Sequence, residues 1–198
     1  MKQWMEHPLI LTGENVELFP LEKEHFEKLF EAASDPELWQ FIPVNCSIRE
    51  NFDKHYTLAL ELREQGHHYP FVIIHKPTNR IIGSTRLFDL FPDDKKLEIG
   101  WTWITKEFWG TIVNPECKLL LLRYCFETLG TRRVQLKTKD TNIRSRTAIQ
   151  KIGATFEGVL RKDKIQADGV SRNAAYFSII DDEWPEVERN LVSLVGIF

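Results

Sequence analysis

Cysteine is scarce in this sequence, and the three cysteines that occur exclude several classes of protein. Cys46, Cys117 and Cys125 form neither an even disulfide set nor the short spacing of metal ligands. Cys117 and Cys125 lie eight residues apart in an apolar segment, a pattern typical of small buried hydrophobic side chains. The sequence therefore predicts neither a disulfide framework nor a cysteine metal centre, and a reducing compartment is expected.

Long apolar runs and an excess of positive charge are also lacking. No segment reaches the roughly 18 apolar residues of a membrane span, and the N-terminus carries acidic and histidine residues where a signal peptide would be apolar. The net charge is −3 and no basic run dominates, which argues against binding to nucleic-acid phosphates. We therefore expect a cytoplasmic protein with no nucleic-acid or membrane partner.

The remaining composition is ordinary for a globular protein. Apolar residues make up 42% and charged residues 28% of the sequence, close to the usual averages. A chain of 198 residues is long enough for one well-buried core, and no repeat or low-complexity linker divides it. The sequence therefore predicts a single domain, 1–198.

The residues from 104 to 116 end one strand, turn and begin a strongly apolar helix. Asn114 is a suitable N-cap, Pro115 suits the first helical position, and Glu116 places negative charge in the first turn. Gly130 suits a left-handed C-cap, so we expect a buried helix over residues 115–129. Within it, the side chains expected to contact solvent are Lys118, Arg123 and Glu127.

A glycine turn that leads into a helix N-terminus directs several free backbone N–H groups to one point. Gly110 and the helix after it therefore favour the binding of a phosphate group. The small basic clusters Arg132 with Arg133, and Arg144 with Arg146, are each large enough to serve one phosphate. An ordinary connection between a strand and a helix explains the same turn without a ligand.

Before this stretch the sequence predicts two or three helices among short strands. A hairpin turns at Gly13 and ends at Pro20, a helix follows to Ala33, and Ser47 is expected to cap a further helix with Glu50 as its capping-box partner. Alternating apolar residues then predict strands over residues 69–75, 80–90 and 97–104.

After the apolar helix, residues 132–138 alternate as a strand. Because this strand follows the one at 97–104 only through a helix, the two are expected to be parallel neighbours. Asn142 begins a short helix that Gly153 ends, and residues 156–164 and 173–180 predict a last antiparallel hairpin with its turn at 167–169. Glu183 begins a C-terminal helix.

The order of these motifs resembles a known family. The matching features are the Trp109-Gly110-Thr111 turn, Asn142-x-x-Ser145, and Gly153-Ala154 followed by Glu157-Gly158. The chain is identified as a member of the GCN5-related N-acetyltransferases (GNAT), and is similar to the branch of the ribosomal-protein N-terminal acetyltransferases RimJ and RimL. The resemblance covers roughly residues 9 to 183.

The resemblance implies a GNAT fold of the α/β (α+β) class. Its mixed, mostly antiparallel sheet has a central parallel pair of strands, 97–104 and 132–138, that splay apart to admit acetyl-CoA, and helices flank the sheet. The pyrophosphate would meet the helix N-terminus, while pantetheine would pair with the edge of the first splayed strand. The implied cofactor-binding residues are Trp103, Ile104, Thr105, Trp109, Gly110, Thr111, Ile112, Val113, Asn114, Asn142, Ser145 and Arg146.

The sequence departs from the family at Ile112 and at Ile149. Family members usually carry glycine where Ile112 stands, and a β-branched residue resists positive φ and crowds a bound pyrophosphate. Many relatives use a tyrosine as the acid in the helix after the second splayed strand, and here that position is Ile149. Both differences favour an alternative in which the chain is a catalytically silent relative that binds CoA or a partner.

Transfer of an acetyl group to an amine needs a base for the amine and an acid for the departing thiolate. The resemblance implies Ser145 as the acid, and Glu98, on the polar face of its strand, is our first candidate for the base. Glu157 and Asp163 are weaker candidates. A structural explanation exists for each: Asn142 and Ser145 suit a helix cap, and Glu98 suits an ion pair.

The expected partners are acetyl-CoA and an amine acceptor, either a protein N-terminus or a small molecule. Side chains expected on the acceptor side are Trp39, Phe41, Trp101 and Tyr176, with Glu31, Asp35 or Glu37 to attract a cation. His67 and His68, with His55 nearby, suggest a metal site, but they lack a third ligand at a suitable interval, so no metal is expected. The apolar tail, 191–198, packs on its own domain or on a second copy, which makes a homodimer possible.

Overall fold

The computed structural model describes residues 4–165 and 169–196. They form an eight-stranded sheet and five α-helices. The strands are β1 Leu11–Thr12, β2 Val16–Pro20, β3 His68–His75, β4 Arg80–Phe91, β5 Lys96–Ile104, β6 Arg133–Lys139, β7 Thr155–Ile165 and β8 Ser171–Ile180. The helices are α1 Phe26–Ala33, α2 Arg49–Glu64, α3 Val113–Arg123, α4 Ile143–Lys151 and α5 Trp184–Val195.

The strands are arranged in the order β1-β2-β3-β4-β5-β6-β8-β7, and all neighbours are antiparallel except β5 and β6. These two parallel strands pair only at their beginnings, where Lys96, Leu97 and Glu98 face Arg133, Val134 and Gln135. Beyond Glu98 they separate. The predicted fold class is confirmed, including the splayed parallel pair at the centre of a mostly antiparallel sheet.

Two apolar clusters cover the two faces of the sheet. On one face, Leu119 and Leu122 of α3, Ile149 of α4 and Trp184 of α5 pack against the strands. On the other face, Leu29 of α1 packs with Phe52 and Tyr56 of α2. Burial of each large apolar side chain contributes roughly 1.5–3 kcal/mol, so the helices hold the sheet from both sides. The expectation that Cys117 and Cys125 are buried is confirmed, and Cys46 is buried as well.

The start of α3 differs from the sequence prediction. The helix begins at Val113 with Ile112 as its N-cap residue, so Asn114 is not the N-cap and Pro115 is the third helical residue. The Thr111 hydroxyl accepts a hydrogen bond from the backbone N–H of Val113 at 3.3 Å. The helix therefore begins before Asn114, the residue whose side chain suits an N-cap. The helix also ends differently, because residues 124–128 continue as a π-helix before Gly130.

The prediction that Ser47 caps α2 was also wrong. The helix begins at Arg49 with Ile48 as its N-cap residue. The backbone N–H and the hydroxyl of Ser47 both donate to Asn45 Oδ1, at 3.0 and 2.6 Å, so the serine is engaged in the preceding turn. The helix ends at Glu64, and Gly66 follows with a φ of +76°.

Two charged residues of α3, Glu116 and Lys118, are buried. Glu116 is fully buried and accepts hydrogen bonds from the backbone and side chain of Asn15, at 2.9 and 3.0 Å. These bonds fasten the first hairpin to the beginning of α3. Lys118, expected to contact solvent, is only 5% exposed. The reason is that Lys118 points towards β5, where its ammonium group donates to the Thr102 hydroxyl at 2.8 Å.

Part of the last predicted turn and part of the apolar C-terminal tail lie outside the described residues. Of the expected turn at 167–169, Ala167 and Asp168 are not described. Leu191 and Val195 of the apolar tail are buried against the chain's own domain, whereas Ile197 and Phe198 lie outside the described residues. No helix in 4–165 or 169–196 is long and apolar enough to cross a membrane.

Candidate active site

A cavity of about 290 Å³ lies where β5 and β6 separate. Parallel strands that pair only at one end leave their backbone edges open beyond that point, and side chains from neighbouring elements line the gap. The predicted site residues that line it are Glu98, Trp103, Ile104, Trp109, Gly110, Asn114, Asn142 and Ser145. The fold therefore brings most of the predicted site together.

The beginning of α3 forms one end of this cleft. Gly110 has a φ of +77°, a backbone conformation that side chains rarely adopt, and it turns the chain into the helix. Within the described chain, the backbone N–H groups of Gly110, Ile112 and Asn114 have no hydrogen-bond acceptor. Free N–H groups at the positive end of a helix dipole suit an anion, and the turn therefore fits a pyrophosphate.

Trp109 and Arg144 add a cationic wall to the same end. The Trp109 indole N–H donates to the carbonyl of Ile104 at 2.8 Å, which ties the turn to the end of β5. The Arg144 guanidinium lies 3.5 Å from the centre of the Trp109 ring. Arg144 lines the cleft, so its charge faces the place where the free N–H groups converge.

Ile112 does not create the conformational conflict that the sequence suggests. Its φ is −71° and its ψ is −12°, in the ordinary right-handed helical region, so no positive φ is required of it. Its side chain is exposed and is not among the residues that line the cleft. The substitution of the family's usual glycine is therefore compatible with the backbone of this turn.

The outer half of β5 forms one wall of the cleft. Trp103 and Ile104 pair with Ser84 and Gly83 of β4, while their other edge faces the gap left by β6. Thr105 differs, because its backbone N–H donates to the carbonyl of Ile82 at 2.8 Å and the residue does not line the cleft. An unpaired strand edge can accept an extended chain such as pantetheine.

The opposite wall comes from the beginning of α4. Asn142 is the N-cap residue, and its Oδ1 accepts a hydrogen bond from the backbone N–H of Ser145 at 3.1 Å. The structural explanation for this pair is therefore realised, and the bond holds the Asn142 side chain at the cleft, which Ser145 also lines. Ile149, one turn later, lines the cleft at the position where relatives carry tyrosine.

Glu98 lies at the point where the parallel strands separate. Its side chain is 2% exposed and accepts hydrogen bonds from Gln135 Nε2 at 2.7 Å and Lys137 Nζ at 2.9 Å. Burial raises the pKa of this carboxyl, and the charge of Lys137 opposes the rise. A carboxylate whose pKa is raised towards the working pH is a more effective general base than an ordinary one.

The two weaker candidates for the base do not line the cleft. Glu157 accepts hydrogen bonds from Arg133 and Ser178, and the hydrogen bond with Arg133 lowers the pKa of its carboxyl. Asp163 accepts a hydrogen bond from the Tyr176 hydroxyl at 2.6 Å. Of the three carboxylates considered, Glu98 is the one that faces the cleft.

Several predicted cofactor contacts lie outside the cleft lining, namely Thr105, Thr111, Ile112, Val113 and Arg146. Arg146 Nη1 donates to the carbonyl of Asp140 at 3.1 Å, and its guanidinium lies over the Phe156 ring, 5.4 Å from its centre. Of the basic pair in α4, the structure therefore directs Arg144 rather than Arg146 towards the cleft.

The sequence reasoning missed several cationic residues of the cleft, among them Lys118 and Arg172. Lys118 donates from Nζ to the hydroxyl of Thr102 at 2.8 Å, and burial lowers the pKa of its ammonium group to about 8. Arg172 of β8 is 9% exposed and donates from Nη1 to the carbonyl of Phe41 at 3.3 Å. Neither residue lies in a recognisable motif, so only the alternation of β8 could have indicated that Arg172 faces inwards.

The expected acceptor side is realised in part. Phe41 and Trp101 line the cleft, whereas Trp39 is buried beneath it and Tyr176 is not among its lining residues. Asp35 and Glu37 form ion pairs with Lys106, so they are not free to attract a cation. Among the described residues no group of His, Cys, Asp or Glu could hold a metal ion.

Comparison with known proteins agrees with this geometry. Residues 15–155, well over half of the chain, match the family model described as an acetyltransferase (GNAT) domain. The chain is 34% identical over 105 residues to YdaF of Bacillus subtilis (strain 168), whose name proposes a ribosomal N-acetyltransferase. That match covers 52% of this chain and 56% of YdaF, so the chain spans just over half of that relative's length.

Solved structures share the fold over most of their length. A GCN5-related N-acetyltransferase from Brucella melitensis has a TM-score of 0.88 at 25% identity, covering 96% of this chain and 86% of its own. RimJ of Mycobacterium smegmatis, solved in complex with CoA-disulfide, has a TM-score of 0.81 at 18% identity, covering 94% of this chain and 95% of its own, and shares the fold.

The splayed strands, the anion-binding turn and the family match lead to one conclusion. The chain belongs to the GNAT acetyltransferase family, whose domain model its residues 15–155 match.

Proposed function

We propose that this protein is an N-acetyltransferase that moves the acetyl group of acetyl-CoA directly to a primary amine within a ternary complex. The observation that carries the proposal is that Glu98, Ser145, Gly110 and Asn114 line one cleft, and that the backbone N–H groups of Gly110 and Asn114 have no acceptor in the described chain. The acceptor is the α-amine of a peptide or a small-molecule amine, and the resemblance to YdaF supports the peptide.

The cleft residues divide the proton transfers between two sides. The thioester of acetyl-CoA supplies the acyl group. The Glu98 carboxylate accepts the proton that the acceptor amine must lose, and Lys137 and Gln135 hold the carboxylate in place. The Ser145 hydroxyl passes a proton to the departing sulfur and regains one from water, and in this role it replaces the tyrosine that is absent at Ile149.

The co-substrate is held by backbone rather than by charged side chains alone. The N–H groups of Gly110, Ile112 and Asn114 bind its pyrophosphate, and Arg144 adds one positive charge beside them. The Asn142 amide and the open edge of β5 at Trp103 and Ile104 hold the pantetheine arm.

A covalent acetyl-enzyme has no support in the cleft. Cys117 and Cys125 are fully buried in α3 and in the π-helical turn after it, and Cys46 is buried under α2. Burial raises the pKa of the Cys46 and Cys117 thiols to about 12 and raises that of Cys125 as well. A thiol with a raised pKa is a poor nucleophile at neutral pH, which favours direct transfer.

The location and the association of the protein are parts of the same proposal. We place it in the cytoplasm, where acetyl-CoA and nascent or free amines are both present. A homodimer would cover the exposed apolar side chains of the edge strand β7, among them Phe156, Val159 and Leu160. Sedimentation of the purified chain at several concentrations measures this association.

The alternative function is a silent relative that binds CoA without turnover, and the specific observation in its favour is Ile149 in place of the tyrosine. Calorimetry of acetyl-CoA, CoA and dephospho-CoA first measures binding. A coupled thiol-release assay with a library of amines then measures turnover. Micromolar binding with turnover of any amine supports the enzyme; micromolar binding with no turnover across the library supports the silent relative.

Substitution of Glu98 tests its role as base. We expect Glu98→Gln to lower kcat/KM by about 10²- to 10⁴-fold, because the amine then loses its proton to water alone. The rise of activity with pH that follows the raised pKa of Glu98 should also disappear. Glu157→Gln is the matched control, since this carboxylate lies outside the cleft. Equal loss in both variants would contradict the assignment.

Substitution of Ser145 tests the acid. Ser145→Ala should lower kcat by roughly 10²-fold while the affinity for acetyl-CoA stays nearly constant, because the hydroxyl acts only as sulfur departs. Thr147→Ala removes a hydroxyl from the exposed side of the same helix and serves as control. A variant that binds acetyl-CoA poorly but turns over normally would assign Ser145 to binding instead.

A further inference from the structure

The acceptor side of the cleft carries positive charges that no carboxylate neutralises. Lys139 at the end of β6, Lys164 on β7 and Arg172 on β8 all line the cavity. Over residues 4–165 and 169–196, none of the three forms an ion pair with an aspartate or a glutamate. Glu98, the carboxylate that lines the same cavity, is already paired with Lys137.

Two of these cations face each other directly. Lys164 and Arg172 are register partners in the antiparallel pair of β7 and β8. Like charges at directly opposed positions destabilise a sheet, whereas opposite charges stabilise it. The arrangement therefore costs folding free energy in the absence of an anion, and an anion between the two side chains would remove that cost.

Arg172 strengthens this argument because it is buried. Its side chain is 9% exposed, and its one recorded hydrogen bond is donated from Nη1 to the carbonyl of Phe41 at 3.3 Å. The buried Nε–H has no acceptor in the described chain. A buried guanidinium without a carboxylate is costly unless a ligand supplies the missing acceptor.

The phosphates of the co-substrate lie at a different place in the cleft. The anion-binding turn before α3 and Arg144 are next to Trp109, at the end of β5. Arg172 instead contacts Phe41, in the segment between α1 and α2, whose helices cover the other face of the sheet. Arg172 and its register partner Lys164 therefore lie on the side where we expect the acceptor.

We propose that the acceptor is an amine that carries a carboxylate or another acidic group, and that Arg172 and Lys164 bind this group. The inference rests on the proposed function and narrows its acceptor class. Lys139 adds a third positive charge at the same side of the cleft. The planar guanidinium of Arg172 suits a carboxylate because it can donate two parallel hydrogen bonds to it.

The test compares three peptide acceptors that share their N-terminal residue and differ in the second, which is aspartate, glutamine or lysine. Free aspartate and free glutamine form a further arm that distinguishes a small-molecule acceptor from a peptide. The variants are Arg172→Gln and Lys164→Glu, with Arg161→Gln as a control that removes an exposed charge from β7 outside the cleft.

In the wild-type protein we expect the acidic acceptor to be preferred in kcat/KM. Arg172→Gln should lower kcat/KM for that acceptor by about 10- to 100-fold, mainly through KM, because it loses a hydrogen bond between charged groups. kcat/KM for the neutral acceptor should fall clearly less than that for the acidic acceptor, since the neutral acceptor makes no charged contact with Arg172. Arg161→Gln should behave as the wild type with all acceptors.

Lys164→Glu separates binding from stability. It should abolish or reverse the preference for acidic acceptors, yet raise the melting temperature, because glutamate then faces Arg172 across the strand pair. A general structural role for Lys164 would instead lower the melting temperature.

Three outcomes would overturn the inference. Equal turnover of acidic, neutral and basic acceptors by the wild type would do so and leave the proposed function intact. An acidic preference that Arg161→Gln reduces as much as Arg172→Gln would assign the effect to net charge. Binding of acetyl-CoA without transfer to any acceptor would overturn the proposed function and this inference with it.

Discussion

Lys118 is a charged residue in an environment that does not favour its charge. Its ammonium group is buried between α3 and β5 and donates to the Thr102 hydroxyl, which in turn is 2.8 Å from the Thr85 hydroxyl. Among the described residues it has no ion-pair partner, and burial lowers its pKa from 10.5 to about 8. A lowered pKa means that the folded state holds this proton less tightly than the unfolded chain does.

The stability of the protein should therefore depend on pH through Lys118. Below about pH 8 both states are protonated, and burial of the charge costs on the order of 3 kcal/mol. Between about pH 8 and 10.5 the unfolded chain binds more protons, so stability rises with pH and the cost disappears. We expect Lys118→Met to raise the free energy of unfolding by about 1–3 kcal/mol at pH 7.

Urea unfolding of both proteins at pH 7 and pH 10 measures this difference. The advantage of Lys118→Met should shrink at the higher pH, because the wild-type lysine is then neutral in the folded state. Lys151→Met, at an exposed position on α4, controls for the general effect of a lost charge. A less stable Lys118→Met at pH 7 would show that the hydrogen bond to Thr102 outweighs the burial of charge.

At the scale of single elements, Gly110 in the turn before α3 and Gly66 after α2 form a matched pair for substitution. Gly110 and Gly66 have φ values of +77° and +76°, and a Cβ added to either would meet no atom within 4 Å. Replacement by alanine should therefore cost both variants a similar 1–2 kcal/mol of stability, since only the backbone conformation is strained.

Only Gly110→Ala should also weaken the binding of acetyl-CoA. The free N–H groups that follow Gly110 depend on its conformation, whereas Gly66 ends α2 far from the cleft. Calorimetric titration of acetyl-CoA into the two variants, with denaturant unfolding in parallel, tests both statements. Equal affinities in the two variants would contradict the assignment of this turn as the pyrophosphate site.

The elements that the sequence predicted well are those whose periodicity reflects burial alone. The strands at β3 and β6 and the helices α2 and α5 follow their apolar spacing. Helix starts were predicted less well, because Asn114 and Ser47 both have the chemistry of an N-cap but make other contacts. A capping side chain is chosen by the local geometry of the turn, and that geometry depends on residues distant in sequence.

At the scale of the whole molecule, the buried Arg86, which contacts His55 of α2, affects how stability depends on pH in acid. Arg86 donates to His68 Nδ1 at 3.2 Å and to His55 Nε2 at 3.1 Å, and it lies over the ring of Trp101. Burial, together with the charge of Arg86, lowers the pKa of His55 to about 3 and that of His68 to about 4. Both histidines are therefore neutral in the folded protein at pH 7.

The folded protein should lose stability as the pH falls below about 6.5. Between that pH and about 4 the unfolded chain binds protons at these histidines and the folded chain does not, so proton binding favours unfolding. A protein with His55→Gln and His68→Gln keeps acceptors for Arg86 and should lose less stability. Urea midpoints at pH 7 and 4.5 measure the effect, with the exposed His67→Gln as control; parallel curves for all three proteins would exclude these histidines as the cause.

The candidate site could be predicted from the sequence where a motif or an element boundary marks it. The cap at Asn142 and Ser145 and the turn at Gly110 are of this kind. The burial of Glu98 with Lys137 could not be predicted, because it depends on where two parallel strands stop pairing. Arg172 was missed for a similar reason, since its neighbour Lys164 is set by the register of a hairpin.

The three-residue pairing of β5 and β6 has a mechanical consequence. Five strands lie on one side of the junction between β5 and β6, and three lie on the other. Across this junction the two parts of the sheet are joined only by the pairs at Lys96, Leu97 and Glu98. A co-substrate whose extended arm lies along the open edge of β5 would add its own hydrogen bonds to those that join the two parts of the sheet. In the proposed enzyme the sheet would therefore be most continuous with the co-substrate bound, and only these three residue pairs would join its two parts once the product has left.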